Sequence, residues 1–462
     1  MNRFVLISTL FILTGFGLKA QNIDIERIDK ALERYVQNNN IPSLVVGIIK
    51  DGKLVHVVNK GEMKRESGIP ADEKTGFQIA SLSKSFTGLI LNHMATEGLI
   101  DLDRTVASFM KEELNEEALK EFAKVTLIDV LQHRSGIVNN GPSVPPTPFG
   151  KPMIGGYSKE GFMQDLNDMK LDPERIGKFG YSNMGFGLLG YIAQKVSDKS
   201  YEALLQQYVL EPNRMGFTTS DLESVRDQLA TPYMVGGDRT RETQAWEMGM
   251  NIPAGGILSN VEDLSKLMIA EMKAYQDYAA TGKSSPYVLV ENTKPLNQRM
   301  DYGYGFFKSR NAFDTTIVQL GHGGDVDGFG SHFEFYPEQN IGLVMLTGSG
   351  SGWFNDAKTT VESILLGLDL PNEIDLDKSV LKRYTGKYDF GKNQVMTITR
   401  RGNRLFTYFR GQDPVNLYAS AENKFFYLSQ NSQIEFELDK RGKITKTVYI
   451  QNGEEFYPDK IK

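Results

Sequence analysis

A chain of 462 residues with 40% hydrophobic and 24% charged residues is long enough for two or three cores and too apolar for wholesale disorder. Its formal net charge of -6 and pI near 5.6 exclude a basic nucleic-acid footprint and a polybasic membrane anchor. The absence of cysteine excludes disulfides and thiolate metal sites, so the fold must rest on packing.

The first twenty residues read as an export signal. Arg3 supplies the positive start, Phe4 to Gly17 is mostly apolar, and Leu18-Lys19-Ala20 closes on a small residue. That apolar run of about fourteen residues is short of the roughly 20 that a membrane span needs. Cleavage would leave a secreted or periplasmic chain of net charge -8 with no stable membrane anchor. An uncleaved N-terminal anchor is the competing reading.

Residues 24–39 put Ile25, Ile28, Leu32 and Tyr35 on one helical face. Two β-rich runs follow, Ser43–Lys50 and Lys53–Asn59, joined by the hairpin signal Asp51-Gly52. Phe77 to Ala80 then leads into a helix predicted from Ser81 to about Gly98. Residues 99–240 read as mostly helical, with Phe186–Lys195 and Tyr201–Leu210 as clear runs and a Pro- and Gly-dense loop at 139–157. Strands return at Tyr302–Lys308, Thr316–Leu320, Gly330–Tyr336 and Ile341–Leu346.

Strands at both ends with helices between them predict an α+β domain over 21–370: an antiparallel sheet flanked by helices, plus a mostly helical subdomain. Residues 378–462 alternate in short runs between turns such as Arg401-Gly402-Asn403 and Gln451-Asn452-Gly453. Roughly eight short strands, forming a small all-β barrel domain, are predicted there. This segment has 16 Lys+Arg against 9 Asp+Glu and is net +7, leaving -15 on the rest of the exported chain. Opposite charge favours docking of the two domains; two independently solvated surfaces are the plain alternative.

Ser81 and Lys84 are three residues apart, about one helical turn, and so share a face. A serine hydroxyl needs a neighbouring base, and a lysine serves as one only if burial or nearby cations lower its pKa. The spacing alone is weak, because it recurs at Ser108/Lys111 and Ser379/Lys382 in charged or polar surroundings. Context favours Ser81, which sits where an apolar strand-like segment turns into a helix. Tyr181-Ser182-Asn183 adds a phenol that can shuttle a proton and an amide that can hold a carbonyl. His322-Gly323-Gly324 adds glycines that let a substrate backbone come close. Taken singly, a buried tyrosine, a turn asparagine and a structural histidine explain these residues better. Five histidines without a His/Cys cluster give no metal site, and no cofactor is indicated.

In this order the three elements resemble the active-site motifs of the serine β-lactamase and D,D-peptidase superfamily, in its class C β-lactamase, carboxypeptidase and esterase branch. Phe77-Gln-Ile-Ala-Ser81, Val125 to Gly136, Glu211-Pro-Asn-Arg-Met-Gly216, Pro253 to Ser259 and Gly328 to Gly348 carry the likeness over roughly 24–368. The C-terminal segment is similar to the lipocalin-like domains appended to some members. The resemblance implies Ser81 as nucleophile, Lys84 as its proton-transfer partner, and Tyr181 as general base and later acid. It implies that Asn183, His322, Gly323 and Gly324 bind substrate, and that the backbone N–H groups of Ser81 and Asp325 form the oxyanion hole.

One departure matters. His322 stands where β-lactamases usually carry the lysine of Lys-Thr-Gly, and a neutral imidazole brings no fixed charge to a substrate carboxylate. The literal Lys74-Thr75-Gly76 precedes Ser81 and is not that motif. His133 and Arg134 are expected to fix the Ser135-Gly136 turn. The expected activity is hydrolysis of amide or ester bonds in small-molecule or peptide substrates, such as D-amino-acid compounds. A class C-like β-lactamase and a penicillin-binding sensor without turnover are the alternatives.

Overall fold

The computed structural model describes residues 23–147, 153–236, 239–350, 352–391, 394–412 and 414–461. The segment expected to direct export and residues 148–152 of the Pro-rich loop lie outside them. Helix α1, Ile25–Asn39, begins at Asp24, whose carboxylate caps the Arg27 N–H at 3.0 Å, and ends at Asn40 in the left-handed region. Its face of Ile28, Leu32 and Tyr35 is buried as the periodicity requires.

Eight strands form the central antiparallel sheet. They are β1 (Ser43–Lys50), β2 (Lys53–Gly61), β3 (Lys294–Asn297), β4 (Met300–Tyr302), β5 (Phe307–Arg310), β6 (Val318–Val326), β7 (Phe329–Tyr336) and β8 (Ile341–Thr347). The order is β2-β1-β8-β7-β6-β5-β4-β3, so the chain's first hairpin pairs with the last strand of this sheet in sequence. β1 reads as a continuous apolar run because both of its faces are covered. Leu44, Val46 and Ile48 pack toward α1 and helix α5 (Gly352–Leu366), while Val45 and Ile49 join the larger core on the other side. Helix α4, Val261–Thr281, covers that second side, and Gly47 admits it: a Cβ there would stand 2.6 Å from Val261.

The helical subdomain is built around α2 (Ser83–Thr96) and α3 (Asn183–Ser197). Two expectations change here. The segment predicted as one strand, Tyr302–Lys308, is divided between β4 and β5 by a turn pressed onto α2. A Cβ at Gly305 would lie 2.3 Å from the Lys84 carbonyl oxygen, and one at Gly88 2.0 Å from that of Tyr304. The strand expected to end at Leu320 runs on to Val326, so the His322 motif lies within it rather than beside it.

The described residues of the C-terminal domain are all-β apart from a short helix, Lys378–Lys382, and form nine strands where roughly eight were expected. Each strand from Gly386–Asp389 to Glu454–Phe456 pairs with the next, and Asp459–Ile461 returns to pair with the first. Rings of Tyr384, Tyr388, Phe425, Tyr427, Phe436 and Tyr449 fill its interior. Among the described residues no ion pair joins 23–370 to 378–461, though the Arg404 charge acts on Asp356 across the junction. Tyr418, Phe426 and Leu428 instead enter the apolar core of α1 and α5, and the Asp356 carboxylate of α5 accepts hydrogen bonds from Tyr418 (2.6 Å) and Asn416.

Candidate active site

Ser81 lies in a single 3-10 turn, Ala80–Leu82, immediately before α2. Ala80, fully buried, has φ of 48°, an unusual value for a residue with a Cβ. That kink turns the chain from the short strand Phe77–Gln78 into the helix and presents the Ser81 side chain at the surface of the cleft. Hydrogen bonds lock the kink: Ile79 N–H donates to Ile257 O at 3.0 Å and Ser331 Oγ donates to Ile79 O at 2.7 Å. The helix therefore starts two residues later than predicted, but Ser81 and Lys84 keep a common face.

Lys84 is completely buried. Its Nζ donates to Ser81 Oγ at 3.1 Å, Asn183 Oδ1 at 2.8 Å and the Ala254 carbonyl at 2.7 Å. All three acceptors are uncharged. Burial without a carboxylate partner holds the Lys84 pKa well below the ordinary lysine value of 10.5. The ammonium position also lies 4.7 Å from the centre of the Tyr181 ring.

The Tyr181 hydroxyl hydrogen-bonds Ser81, yet burial raises its pKa above the usual phenol value. The two shifts are opposite in sense: the amine loses proton affinity and the phenol holds its proton. Desolvation sets the direction for Tyr181, with the Ser81 hydrogen bond acting the opposite way. Amine, hydroxyl and phenol thus form one hydrogen-bonded group around Ser81 Oγ.

Tyr181 is held from below by residues that sequence reasoning assigned to a different turn. The His133 ring lies 4.3 Å from the Tyr181 ring, and its Nδ1 accepts the Ser182 N–H at 3.1 Å. Arg134 donates to Gly177 O at 2.7 Å and Pro295 O at 2.5 Å. His133 O and Arg134 O accept the N–H groups of Gly180 and Gly177. Together they pin the segment that carries the phenol. Ser182 caps α3 through Gly185 N–H at 2.8 Å, which puts Asn183 in the first turn. Asn140 Oδ1 accepts from Asn183 Nδ2 at 3.2 Å, and Asn139 Oδ1 accepts from the Asn183 N–H at 3.2 Å. The adjacent amides Asn139-Asn140, at the start of the loop, were the signal that sequence reasoning passed over.

The third motif reaches the nucleophile along β6. Pairing with β5 stops at Gly321↔Phe307, so the backbone from His322 onward has no strand partner on that side. Gly324 makes the approach possible: a Cβ there would fall 2.1 Å from Ile79 O and 2.9 Å from Ser81 N. His322 is buried between Tyr302 (Nε2 to hydroxyl, 3.4 Å) and Phe307, with Nδ1 2.5 Å from Gly323 O. Burial, and next the Lys84 charge, lower its pKa to about 3, so it is neutral at ordinary pH. Gly323 faces the other side of the sheet, toward His332, and the Asp325 carboxylate lies beside Gly350. Ser81, Lys84, Tyr181 and Asn183 thus converge, with Gly324 against them. The decoys do not: Ser108 Oγ is spent on Thr105 O at 2.7 Å, and Ser379 lies on the short C-terminal helix.

A helix-covered antiparallel sheet with a Ser-x-x-Lys turn at its edge is the architecture of β-lactamases and penicillin-binding proteins. The Beta-lactamase family profile matches residues 28–363, and the chain belongs to that family. Residues 370–456 match a domain of unknown function, DUF3471. Protein flp of Staphylococcus aureus (strain MW2) is 25% identical over 334 residues, covering 71% of this chain and 63% of that protein, so the chain spans less than two thirds of that relative. The N-acetylmuramyl-L-alanine amidase of Bacillus subtilis (strain 168) is 24% identical, over 70% of this chain and 80% of that one. In structure, the octameric penicillin-binding protein homologue from Pyrococcus abyssi aligns over 94% of this chain and 100% of its own, at TM-score 0.68 and 23% identity. A class C β-lactamase from Rhodobacter sphaeroides aligns over 74% and 99%, at TM-score 0.60 and 20% identity.

Proposed function

We propose that the chain is an exported serine hydrolase that cleaves amide or ester bonds through an acyl-enzyme on Ser81. The observation that carries this reading is Lys84: a buried amine, depleted of proton affinity, 3.1 Å from a serine hydroxyl at the cleft. A lysine so placed costs the fold stability, and a neighbouring base is what a serine nucleophile needs.

In the proposed cycle Ser81 Oγ attacks the substrate carbonyl and its proton moves to Lys84. The carbonyl oxygen, now negative, is held by the N–H groups of Ser81 and Asp325. Collapse breaks the bond to the leaving group, which takes a proton from Tyr181, and Tyr181 is re-protonated from Lys84. Water then attacks the acyl-enzyme, giving its proton to the same relay, and releases Ser81. Asn183 Nδ2 orients the substrate amide.

Neutral His322 supports peptides or D-amino-acid compounds over β-lactams as substrates, because it offers a carboxylate a hydrogen bond but no charge. The amidase among the relatives supports the same bond class. A class C-like β-lactamase is the second reading, favoured by the Tyr181-Ser182-Asn183 geometry and the class C fold.

The test is intact-mass spectrometry of wild type and Ser81→Ala after a fluorophosphonate probe. Wild type gains one adduct and the variant none; labelling that survives the substitution refutes the nucleophile. Turnover of D-aminoacyl amides, D-Ala-D-Ala peptides, short esters and a chromogenic cephalosporin then separates peptidase, esterase and lactamase, while a stable adduct with no turnover identifies a sensor. Export follows from residues 1–20, and N-terminal sequencing of extracytoplasmic protein checks it: a chain starting at Gln21 agrees, an intact Met1 does not.

A further inference from the structure

A groove of about 600 Å³ separates the outer face of the C-terminal domain from the first domain. That volume suits a small-molecule site, and domain junctions are where such sites occur. Strand alternation explains the wall: Leu405 and Leu417 point into the all-β core, so Arg404, Asn416 and Tyr418 turn outward to the groove. The end of α1 and the segment Glu373–Leu376 form the opposite wall.

The charges in the groove are unevenly satisfied. Glu373 and Asp375 are both taken by Arg34, at 3.0 and 2.9 Å. Asp356, beneath, is occupied by Tyr418 and Asn416. Among the described residues neither Arg401 nor Arg404 has a carboxylate within 4 Å, though the Arg404 charge reaches Asp356 and Glu373; each lies over a ring, Arg401 at 5.3 Å from Phe406 and Arg404 at 6.0 Å from Tyr418. A guanidinium held flat on an aromatic face keeps its donor fork free for an anion. Arg404 spends one donor on Asn39 Oδ1 at 3.2 Å, and the exposed amides of Asn38 and Asn403 stand nearby.

We propose that this groove binds a small carboxylate-bearing ligand rich in hydrogen-bonding groups, with Arg401 and Arg404 holding the carboxylate. The charges of Arg401 and Arg404 are balanced in the lining by Glu373 and Asp375, so the groove suits a monoanion better than a phosphate dianion. A sugar acid and an N-acylated amino acid share this chemistry.

Calorimetric titration of the full chain tests the site with glucuronic acid and N-acetyl-D-alanine as probes, and with glucose and glucose 1-phosphate as controls. At least one carboxylate is expected to bind with Kd below about 1 mM. Arg401→Gln, at an exposed position that leaves the fold intact, and the double variant with Arg404→Gln should weaken it, the latter by about tenfold or more. Ser81→Ala should not change it, which keeps the result independent of the hydrolase reading. Three results overturn the proposal: neither carboxylate binds, a control binds as well as the acids, or the arginine variants bind like wild type. Loss of binding in Ser81→Ala would move the ligand to the cleft and also overturn it.

Discussion

Replacing Gly324 by alanine adds one methyl group at the point where β6 touches the nucleophile turn. The Cβ would lie 2.1 Å from Ile79 O, 2.9 Å from Ser81 N and 2.7 Å from Ser331 Oγ. Van der Waals contact needs about 3.5 Å, so the two segments must part by about 1 Å. Neither gives easily. β6 is paired with β7 from Leu320 to Val326, and the turn is fastened by the Ile257 and Ser331 hydrogen bonds. A displacement of that size costs about 10²-fold in rate when reacting groups are held in register, and a displaced oxyanion donor costs about 10²–10³. Overpacking should lower stability by about 1–3 kcal/mol. Gly323→Ala is the control: its Cβ meets His332 Nδ1 at 3.1 Å and Ser331 O at 3.3 Å, on the far side of the sheet from Ser81. The assay is the second-order rate of fluorophosphonate labelling, read beside a thermal melt. Gly324→Ala should lose at least about 10²-fold and Gly323→Ala less than about tenfold. A Gly324→Ala enzyme that labels within tenfold of wild type would show that this contact does not set the geometry of the nucleophile.

Lys84→Met and Lys84→Arg should both slow labelling by about 10²–10⁴, since one has no base and the other never gives up its proton. Because burial lowers the native Lys84 pKa, the unfolded chain binds the extra proton and wild-type stability rises with pH toward 10.5. Lys84→Met should therefore melt at a pH-independent margin from wild type only above that value, and a rate near wild type in either variant refutes Lys84 as base. Three buried histidines, His133, His322 (to about 3) and His332 (to about 4), have lowered pKa values, chiefly from burial. The native state resists the protons that the unfolded chain accepts below 6.5, so stability should fall from there, each histidine contributing about 1.4 kcal/mol per pH unit. Melts that stay flat from pH 6.5 to 4.5 would contradict this. Glu271 is buried with neither oxygen hydrogen-bonded among the described residues, and burial raises its pKa well above 4.5. It should destabilise the fold as pH rises past 4.5, and Glu271→Met should gain at least about 1 kcal/mol at pH 8, a gain that shrinks in acid. Equal margins at both pH values would count against a buried protonated carboxyl.

Local pattern made much of this molecule legible. The helix at 24–39 and the strand Ser43–Lys50 appear where their apolar patterns put them, a one-faced stripe for the helix and a continuous run for a strand covered on both faces. The spacing of Ser81 and Lys84 puts both on one face of a turn whatever surrounds them. The order of the three motifs likewise pointed to the family. Contacts between distant segments were not legible in this way: the division of Tyr302–Lys308 by a turn against α2, the place of His133 and Asn140 around Tyr181 and Asn183, and the joining of the two domains by apolar packing and the hydrogen bonds of Asp356.

Lys84 marks the boundary most clearly. Sequence alone determined that a lysine stands one turn after Ser81, since spacing is a local property of the chain. Only the tertiary structure decided what kind of lysine it is. Its acceptors Asn183 and Ala254 come from 99 and 170 residues away, and they exclude water without supplying a negative charge. Proton affinity is set by that desolvation, which no local stretch of sequence encodes.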